Sequence, residues 1–297
     1  MRHRMLGDVR VGAVGLGTMP LSIEGRPDEA RAFATVHAAL DAGVTLLDTA
    51  DSYHPPGGDP GEGEVLVARA LAAYGGNTDD VLVATKGGRG RTDDGGWTVD
   101  GRPGHLRRAA QASARRLGGG AIGLYQLHKP DPAVPYAESL GAIRELLDAG
   151  TVRLAGISNV DTGQILLARE ILGDRLVSVQ NRYSPAVRDS EPELRLCAGL
   201  GLAFLPWSPL GGISRSSLDG ASAQEEDAAF GAFHRVARAR GVSPQRVALA
   251  WHLSRSATVL PIPGAGRPES ARDSAGAAAL ELSAEELSAL EGSLPVG

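Results

Sequence analysis

The feature that most constrains how this 297-residue chain can fold is a regular alternation of short apolar segments with longer, helix-patterned segments. The apolar segments are nearly continuous in hydrophobicity, which is typical of strands buried on both faces of a parallel sheet. Eight units in which a strand is followed by a helix predict a closed α/β fold, the (β/α)8 TIM barrel, formed by residues 1–297 as a single domain. The predicted strands are residues 11–16, 44–48, 81–85, 122–127, 154–158, 176–180, 202–206 and 258–262.

The segments between the strands carry the end signals of helices. Several begin at proline, as at Pro103, and end at glycine, as at Gly150, which is the asymmetry expected of helix termini. An open doubly wound sheet would need a glycine-rich turn leading directly from the first strand into a helix. Gly15 and Gly17 end the first strand, but no helix is predicted before residue 28, so we interpret both as turn residues. The predicted helices are residues 28–42, 62–74, 103–117, 135–149, 161–172, 190–199, 225–240, 243–255 and 283–291.

Two long segments without a strand or helix pattern follow the third and seventh strands. They are residues 87–102 and 208–224, and both are rich in polar residues and glycine. Long loops in a compact fold are usually functional. Because each follows a strand, we expect both loops on the face formed by the C-terminal strand ends, where barrel active sites lie.

Composition excludes several classes of partner. The formal net charge of −5 gives no reason to expect binding to nucleic acid or to an anionic membrane. The single cysteine, Cys197, cannot form an intrachain disulfide, which fits a reducing compartment. No segment approaches the roughly 20 apolar residues of a membrane span, and the N-terminus lacks the apolar core of a signal peptide. We therefore expect a cytoplasmic protein, and the excess of arginine and alanine points to a GC-rich bacterial source.

Three ionisable residues end three successive predicted strands. Asp48 ends the second strand, Lys86 the third and His128 the fourth. Neighbouring strands are about 5 Å apart, so these side chains can converge, and Tyr53 follows on the loop after Asp48. Lysine is rare here, since only Lys86 and Lys129 among the 30 basic residues are lysines. Unlike arginine, lysine presents a compact charge whose pKa can shift in a confined site.

This combination suits the reduction of a carbonyl group. Hydride delivered to the carbonyl carbon leaves an oxygen that needs a proton, and a tyrosine can donate one, although its ordinary pKa of about 10 makes it a weak acid. The Lys86 ammonium would favour the phenolate and lower the pKa of Tyr53, while Asp48 would hold the ammonium in place. A nitrogen of His128 would hydrogen-bond the substrate oxygen as charge develops on it.

Seven short motifs follow one another along nearly the whole chain. They are LDTADSY, VATK, LYQLHKPD, GISN, VQNRYS, PWSPLGG and PIPGA. In the order and spacing of these motifs, the sequence resembles the aldo-keto reductase superfamily. The resemblance implies a (β/α)8 barrel that binds NAD(P)H without a Rossmann domain. It also implies that Tyr53 is the general acid, supported by Asp48, Lys86 and His128.

The same resemblance implies a cofactor-binding shell. Ser158, Asn159 and Gln180 match residues that contact the nicotinamide carboxamide, and Trp207 matches an aromatic residue that stacks on the nicotinamide ring. Residues of the following loop match those that line the pyrophosphate, where small side chains allow close approach. These loop residues are Ser208, Leu210 and Gly211.

The segment after the eighth strand resembles the adenosine-binding region of the family. Its predicted contacts are Gly264, Arg267, Asp273 and Ser274, and Arg267 matches the arginine or lysine that NADPH-preferring members often carry for the 2′-phosphate. NADPH is therefore the expected cofactor. NADH stays possible because Ser270 and Ser274 replace the arginine and asparagine that many NADPH-specific members carry.

Substrate and reaction type are less constrained. Trp97, an apolar residue in the loop after the third strand, is the predicted substrate contact, and we expect an open site with no metal. A small-molecule carbonyl compound is the expected partner, while its identity and the oligomeric state stay open. Alternatives on the same fold are a redox-neutral epimerase or dehydratase, a dehydrogenase, or a non-catalytic NADP(H)-binding sensor subunit. In GC-rich bacteria such reductases serve detoxification or secondary metabolism.

Overall fold

The computed structural model describes residues 2–214 and 230–294. Within these ranges, seven parallel strands form one curled sheet in the order β11-β10-β9-β8-β5-β4-β3, and two antiparallel ribbons, β1–β2 and β6–β7, lie outside it. The strands are β1 (His3–Leu6), β2 (Val9–Gly12), β3 (Leu16–Gly17), β4 (Leu46–Asp48), β5 (Leu82–Gly87), β6 (Arg89–Arg91), β7 (Trp97–Val99), β8 (Ile122–Leu127), β9 (Val152–Ser158), β10 (Leu176–Gln180) and β11 (Ala203–Phe204).

The barrel closes through residues 258–264, which lie between β11 and β3. On one side, the N–H groups of Leu260 and Ile262 donate to carbonyl oxygens of β11 and the residues after it. On the other side, the carbonyl oxygens of Pro261 and Pro263 accept from N–H groups in and just before β3. Proline has no N–H to donate, so the segment pairs by isolated bridges instead of forming a regular ladder strand. The predicted eighth strand thus completes the predicted barrel.

The hairpin β1–β2 covers the N-terminal end of the barrel. Leu6 and Val11 are fully buried and belong to the same apolar cluster as Leu82, Leu154 and Val177 near the starts of the barrel strands. The prediction of a single strand over 11–16 is wrong, because Val11 belongs to β2 and the barrel strand begins only at Leu16. The apolar run continues across the bend between the two, so hydrophobicity alone does not reveal it.

Helices surround the barrel, and several begin at the capping signals in the sequence. The Asp28 side chain accepts from the backbone N–H of Arg31 at the start of α1, and Asp161 and Gln164 form a capping box on α5. The helices are α1 (Glu29–Asp41), α2 (Glu62–Ala72), α3 (Pro103–Arg116), α4 (Tyr136–Asp148), α5 (Thr162–Leu172), α6 (Glu191–Leu200), α7 (Gly231–Arg240), α8 (Pro244–Arg255), α9 (Pro268–Gly276) and α10 (Ala284–Glu291).

Four segments differ from the prediction or extend past the described residues. The segment 87–102 is not a structureless loop, because it contains the ribbon β6–β7. The helix α9 is missing from the prediction, since its small and polar residues give no apolar stripe. The predicted loop 208–224 and the predicted helix 225–240 lie partly outside the described residues.

An apolar shell fills the space between the barrel and its helices. The rings of Tyr183 and Trp251 stack with their centroids 5.8 Å apart, and Phe204 meets Tyr183 edge-on. Cys197 lies in this shell, where burial raises the pKa of its thiol to about 12. It therefore behaves as a small buried hydrophobic residue. Among the described residues, no helix has both the length and the apolar character needed to span a membrane.

Candidate active site

Four predicted side chains meet at the C-terminal end of the barrel. Asp48 ends β4, Lys86 lies on the neighbouring strand β5, and His128 directly follows β8 on the far side of β5. Tyr53 comes from the loop after β4. All four are buried, with Tyr53 the most exposed at 8%. Consecutive strands of one sheet therefore deliver the cluster, because parallel strands end at the same edge.

Lys86 connects Asp48 with Tyr53. Its Nζ lies 2.5 Å from Asp48 Oδ1, 2.8 Å from the carbonyl oxygen of Thr49 and 3.1 Å from the hydroxyl oxygen of Tyr53. An ammonium group has three hydrogens to donate, and these three acceptors use all of them. Lys86 is completely buried, so its charge is balanced by Asp48 and has a fixed direction toward Tyr53.

Asp48 is held from a second side by two glutamines. Gln126 Nε2 and Gln180 Nε2 donate to Asp48 Oδ2 at 3.1 and 2.8 Å. Both oxygens of the buried carboxylate are thus hydrogen-bonded, which is the condition for keeping a charge inside a protein. Gln126 was not among the predicted site residues, and the predicted nicotinamide contact Gln180 uses its amide nitrogen on Asp48.

Burial shifts the pKa values of Tyr53 and Lys86, and a neighbouring charge opposes that shift in each case: Lys86 at Tyr53, and Asp48 at Lys86. Burial raises the pKa of Tyr53 above its usual value, and the neighbouring Lys86 ammonium lowers it by a smaller amount. The expected lowering by Lys86 is present, but burial outweighs it. Burial also acts to lower the pKa of Lys86, yet Asp48 and Tyr53 more than offset this, so that the pKa is raised and the amine stays protonated.

His128 is neutral in this site. Burial, and then the positive charges of Lys86 and Arg89, hold the pKa of its imidazole well below the usual value. Its ring meets the Tyr53 ring edge-on with centroids 5.8 Å apart, and its Nδ1 lies 3.4 Å from Ser52 Oγ. A neutral imidazole can donate one N–H to a ligand oxygen without giving up a proton.

The loop that carries Tyr53 is fixed by the first turn of α2 and the residue before it. Gly61 N donates to the carbonyl oxygen of Asp51 at 2.6 Å, and Gly63 N donates to that of Tyr53 at 3.1 Å. A Cβ on Gly63 would come within 2.9 Å of Ser22 Oγ, so only glycine lets the helix approach this closely. The position of Tyr53 is therefore set by backbone contacts as well as by Lys86.

A cavity that is open to solvent lies above the cluster. Asp48, Tyr53 and His128 contribute to its floor. Most of the predicted nicotinamide and pyrophosphate contacts also line it, namely Ser158, Asn159, Gln180, Trp207, Ser208 and Leu210. Gly264 of the predicted adenosine-binding segment and the predicted substrate contact Trp97 line it as well.

Asn159 and Ser158 are pre-arranged at the end of β9. Asn159 has a left-handed backbone (φ 59°), and its Nδ2 donates to the carbonyl oxygen of His128 at 2.9 Å and to Ser158 Oγ at 3.0 Å. Ser158 Oγ donates in turn to the carbonyl oxygen of Gln180 at 2.6 Å. This chain of bonds fixes both side chains at the cavity wall, since asparagine is one of the few residues that tolerates this conformation.

The remaining predicted cofactor contacts do not line this cavity. Gly211, Arg267, Asp273 and Ser274 lie outside its wall. The exposed Arg267 precedes α9, and its Nε lies 2.9 Å from Ser270 Oγ. Asp273 is engaged by Arg246 at 2.9 Å and by the hydroxyl of Ser243, which gives it a structural role between α8 and α9.

Sequence reasoning missed several residues of the cavity wall. Gly17, interpreted as a turn residue, lies on β3 and lines the cavity. Met19, Pro20 and Arg89 line the cavity as well. A Cβ on Gly17 would come within 2.9 Å of the carbonyl oxygen of Ile262, so the close approach of the two barrel edges requires glycine there. The glycine was therefore the sequence signal by which a close approach at position 17 could have been recognised. The position of Arg89 depends on the ribbon β6–β7, for which the sequence carries no such signal.

Comparison with known proteins agrees with this geometry. The family model described as "Aldo/keto reductase family" matches residues 13–294. The chain belongs to the aldo/keto reductase family. It is 34% identical over 284 residues to the 6-dehydroglucose reductase of Novosphingobium aromaticivorans, covering 94% of this chain and 90% of the relative. It is 32% identical over 298 residues to the pyridoxine 4-dehydrogenase of Escherichia coli, covering 97% and 96%.

The fold also matches solved structures of the family. An aldo/keto reductase from Klebsiella pneumoniae, solved in complex with NADP and acetate, superposes with a TM-score of 0.77 at 27% identity, covering 99% of this chain and 95% of that one. This aldo/keto reductase is thus an NAD(P)H-dependent oxidoreductase with the TIM-barrel fold.

The cavity fits a nicotinamide cofactor. Trp207 offers a flat aromatic wall, and its Nε1 is a buried donor without a partner among the described residues. Gly264 is exposed in the cavity wall and has no side chain, so a ligand can approach its backbone closely. Ser158 and Asn159 supply the hydroxyl and amide groups that a carboxamide can pair with.

Proposed function

We propose that this aldo/keto reductase reduces an aldehyde or ketone to the alcohol, with Tyr53 as the proton donor. The observation that carries the proposal is the position of Lys86 Nζ, in contact with both Asp48 and the Tyr53 hydroxyl. A bound reduced nicotinamide supplies the hydride. The residues of the chain then have to orient the carbonyl oxygen and deliver a proton to it.

Tyr53 enters this reaction as an acid. Because burial keeps its pKa above the usual value, the phenol is protonated near neutral pH. When the proton leaves, the phenolate forms 3.1 Å from the Lys86 ammonium, whose attraction is strong because both groups are buried. Asp48 keeps the ammonium directed toward Tyr53.

His128 orients the carbonyl oxygen in this proposal. Its lowered pKa keeps the imidazole neutral, so it can donate a hydrogen bond without competing with Tyr53 as the acid. Its ring meets the Tyr53 ring edge-on, so a carbonyl oxygen at the cavity floor can reach both groups.

We further propose NADPH as the preferred cofactor. Arg267 supports this, because its guanidinium is exposed beside Ser270 at the start of α9, next to the cavity residue Gly266. An exposed guanidinium there can pair with a 2′-phosphate, which NADH lacks. The relatives named for 6-dehydroglucose and pyridoxine make sugar ketones and pyridoxal sensible members of a substrate panel.

Replacement of Tyr53 by phenylalanine tests the proton donor. Tyr53→Phe should lower kcat by about 10²- to 10⁴-fold, the usual value of a positioned general acid, while the Kd for cofactor changes little. The measurement is loss of reduced nicotinamide absorbance against aldehydes, sugar ketones and pyridoxal, with NADPH and NADH in parallel.

Tyr125→Phe is the matched control for that experiment. Tyr125 is a second buried tyrosine, and its hydroxyl has no hydrogen-bond partner among the described residues, so its loss should leave kcat near the wild-type value. Equal turnover of Tyr53→Phe and the wild type would remove Tyr53 from the mechanism. Product formation without stoichiometric cofactor oxidation would point to a redox-neutral reaction instead.

A further inference from the structure

The ribbon β6–β7 places two arginines on either side of Trp97. Arg89 and Arg91 are two residues apart on β6, so their side chains leave the same face of the ribbon. The Cζ atom of Arg89 lies 4.3 Å from the centroid of the Trp97 ring, and that of Arg91 lies 4.5 Å from it. Both guanidinium groups thus have the same aromatic neighbour and an equivalent position on the strand.

The two arginines differ in what their charges contact. Arg91 donates to both carboxylate oxygens of Glu24, at 2.7 and 2.5 Å, and to the carbonyl oxygens of His54 and Gly95. Arg89 makes no hydrogen bond or ion pair with any residue of the ranges 2–214 and 230–294, and the Trp97 ring is its contact. Arg91 therefore anchors the ribbon, whereas the five donors of Arg89 are left for something else.

Arg89 directs this unused charge into the active-site cavity. It lines the cavity beside Tyr53 and His128. After burial and Lys86, its charge adds to the lowering of the His128 pKa, and it opposes the rise of the Tyr53 pKa that burial causes. Among the described residues that line the cavity, Asp48 is the only one with a carboxylate, and Lys86, Gln126 and Gln180 already hydrogen-bond it. The described wall of the cavity thus has a positive charge at the end where the carbonyl group would react.

We propose that Arg89 binds an anionic group of the substrate, so that the preferred substrates are aldehydes or ketones carrying a carboxylate or a phosphate. The inference rests on the proposed carbonyl reduction. A guanidinium forms two parallel hydrogen bonds with either anion, and such charge-assisted bonds are strong in a half-buried site. The Trp97 ring holds the guanidinium plane in place, which reduces the entropy lost on binding.

Matched pairs of substrates test this assignment. The carboxylate pair is 4-carboxybenzaldehyde and its methyl ester, and the phosphate pair is glyceraldehyde 3-phosphate and glyceraldehyde. The wild type should favour the anionic member by at least about tenfold in kcat/KM. Arg89→Met, which keeps an apolar stem against Trp97, should lose about 10- to 100-fold on the anionic member and less than about threefold on the neutral one.

Two further variants separate charge from packing. Arg89→Lys should keep part of the preference, because the charge stays and the bidentate geometry is lost. Arg102 lies in the same segment, pairs with Asp100 and does not line the cavity. Arg102→Met should therefore leave the ratio of kcat/KM between the anionic and the neutral substrate unchanged in both pairs. The substrate pair in which the wild type prefers the anionic member more strongly in kcat/KM identifies whether a carboxylate or a phosphate is the better ligand.

A binding measurement keeps failure of this inference distinct from failure of the proposed reaction. Isothermal titration calorimetry would compare benzoate, phenyl phosphate and benzyl alcohol as probes. One or both anions should bind Arg89→Met about tenfold more weakly than the wild type, with benzyl alcohol unchanged. Equal binding of all three probes to both proteins, or equal losses on both members of each substrate pair, would overturn the role of Arg89. Absence of carbonyl reduction with intact anion binding would instead overturn the proposed reaction.

Discussion

Two clusters of buried charge lie back to back across the barrel wall, and they are built differently. The inner cluster consists of Asp48, Tyr53, Lys86 and His128. The outer cluster, between the wall and the helices α2 and α3, consists of Asp51, Glu64, Thr85, Arg116 and Tyr125. Alternation along the strands produces both, because Thr85 and Tyr125 face outward where their chain neighbours Lys86 and Gln126 face inward.

The inner cluster balances its charges. It contains one carboxylate and one ammonium, and every hydrogen of Lys86 Nζ and both oxygens of Asp48 have partners. The buried ions are therefore compensated, and in the proposed reaction the Tyr53 hydroxyl is the group that donates the proton.

The outer cluster has two carboxylates for one guanidinium. Glu64 accepts from Thr85 Oγ1 at 2.5 Å and from Arg116 Nε at 2.6 Å. Asp51 is buried beside them with its Oδ1 unpartnered among the described residues. Burial, and then the Glu64 carboxylate, hold the pKa of Asp51 well above its usual value. In the proposed reaction the charges inside the barrel act on the substrate, whereas the outer charges lie behind the wall, where burial of the Asp51 carboxyl has a cost in stability.

The largest expected effect comes from breaking the inner pair. Lys86→Met should lower kcat at least as much as Tyr53→Phe and should reduce the free energy of unfolding by about 3–5 kcal/mol, because Asp48 stays buried without its counter-charge. Activity and urea unfolding would measure the two effects. The double variant Lys86→Met with Asp48→Asn should recover stability but not activity. Recovery of neither, or of both, would contradict the separation of the two roles.

A smaller effect is expected from the outer pair. Glu64→Gln keeps an acceptor for Thr85 but removes the charge facing Arg116, so the free energy of unfolding should fall by about 1–3 kcal/mol. Because Glu64 does not line the cavity, kcat should stay within about threefold of the wild type. Urea unfolding and steady-state kinetics check both statements, and a loss of kcat without a loss of stability would assign Glu64 to the reaction.

Asp51→Asn should change the free energy of unfolding least of the three variants at acidic pH, and it should stabilise the protein at higher pH. Since the pKa of Asp51 is raised in the folded protein, the folded state binds more protons than the unfolded state between the two pKa values. Wild-type stability should therefore fall as pH rises through this window, by at most about 1.4 kcal/mol per pH unit from this group. Asp51→Asn removes that slope. If the stability of the wild type and of Asp51→Asn changed with pH in parallel, Asp51 would be excluded as the source of the slope.

The sequence predicts the inner cluster because strand ends can be read from hydrophobic runs. Asp48, Lys86 and His128 each follow such a run, and the parallel arrangement brings them together. Gln126 could not be predicted in the same way. Its strand is buried on both faces, so no polar–apolar alternation reveals which residues face the inside of the barrel.

Elements that depend on contacts far along the chain also escaped prediction. The apolar residues of β2 look like part of a barrel strand, although they cover the end of the barrel. The helix α9 has few apolar residues, and its burial against α1 decides its existence. Arg89 looks like one surface arginine among many until the ribbon β6–β7 turns it toward the cavity.

The prolines that close the barrel have a mechanical consequence. Pro261 and Pro263 accept hydrogen bonds from Gly15 and Gly17 but return none, so this joint of the ring has only half of a normal ladder. The cavity lies across the joint, with Gly17 on one lip and Gly264 on the other. A ligand that contacts both Gly17 and Gly264 would, by mass action, stabilise the closed barrel. Ligand binding would thus compensate at this joint for the ladder hydrogen bonds that the two prolines cannot form.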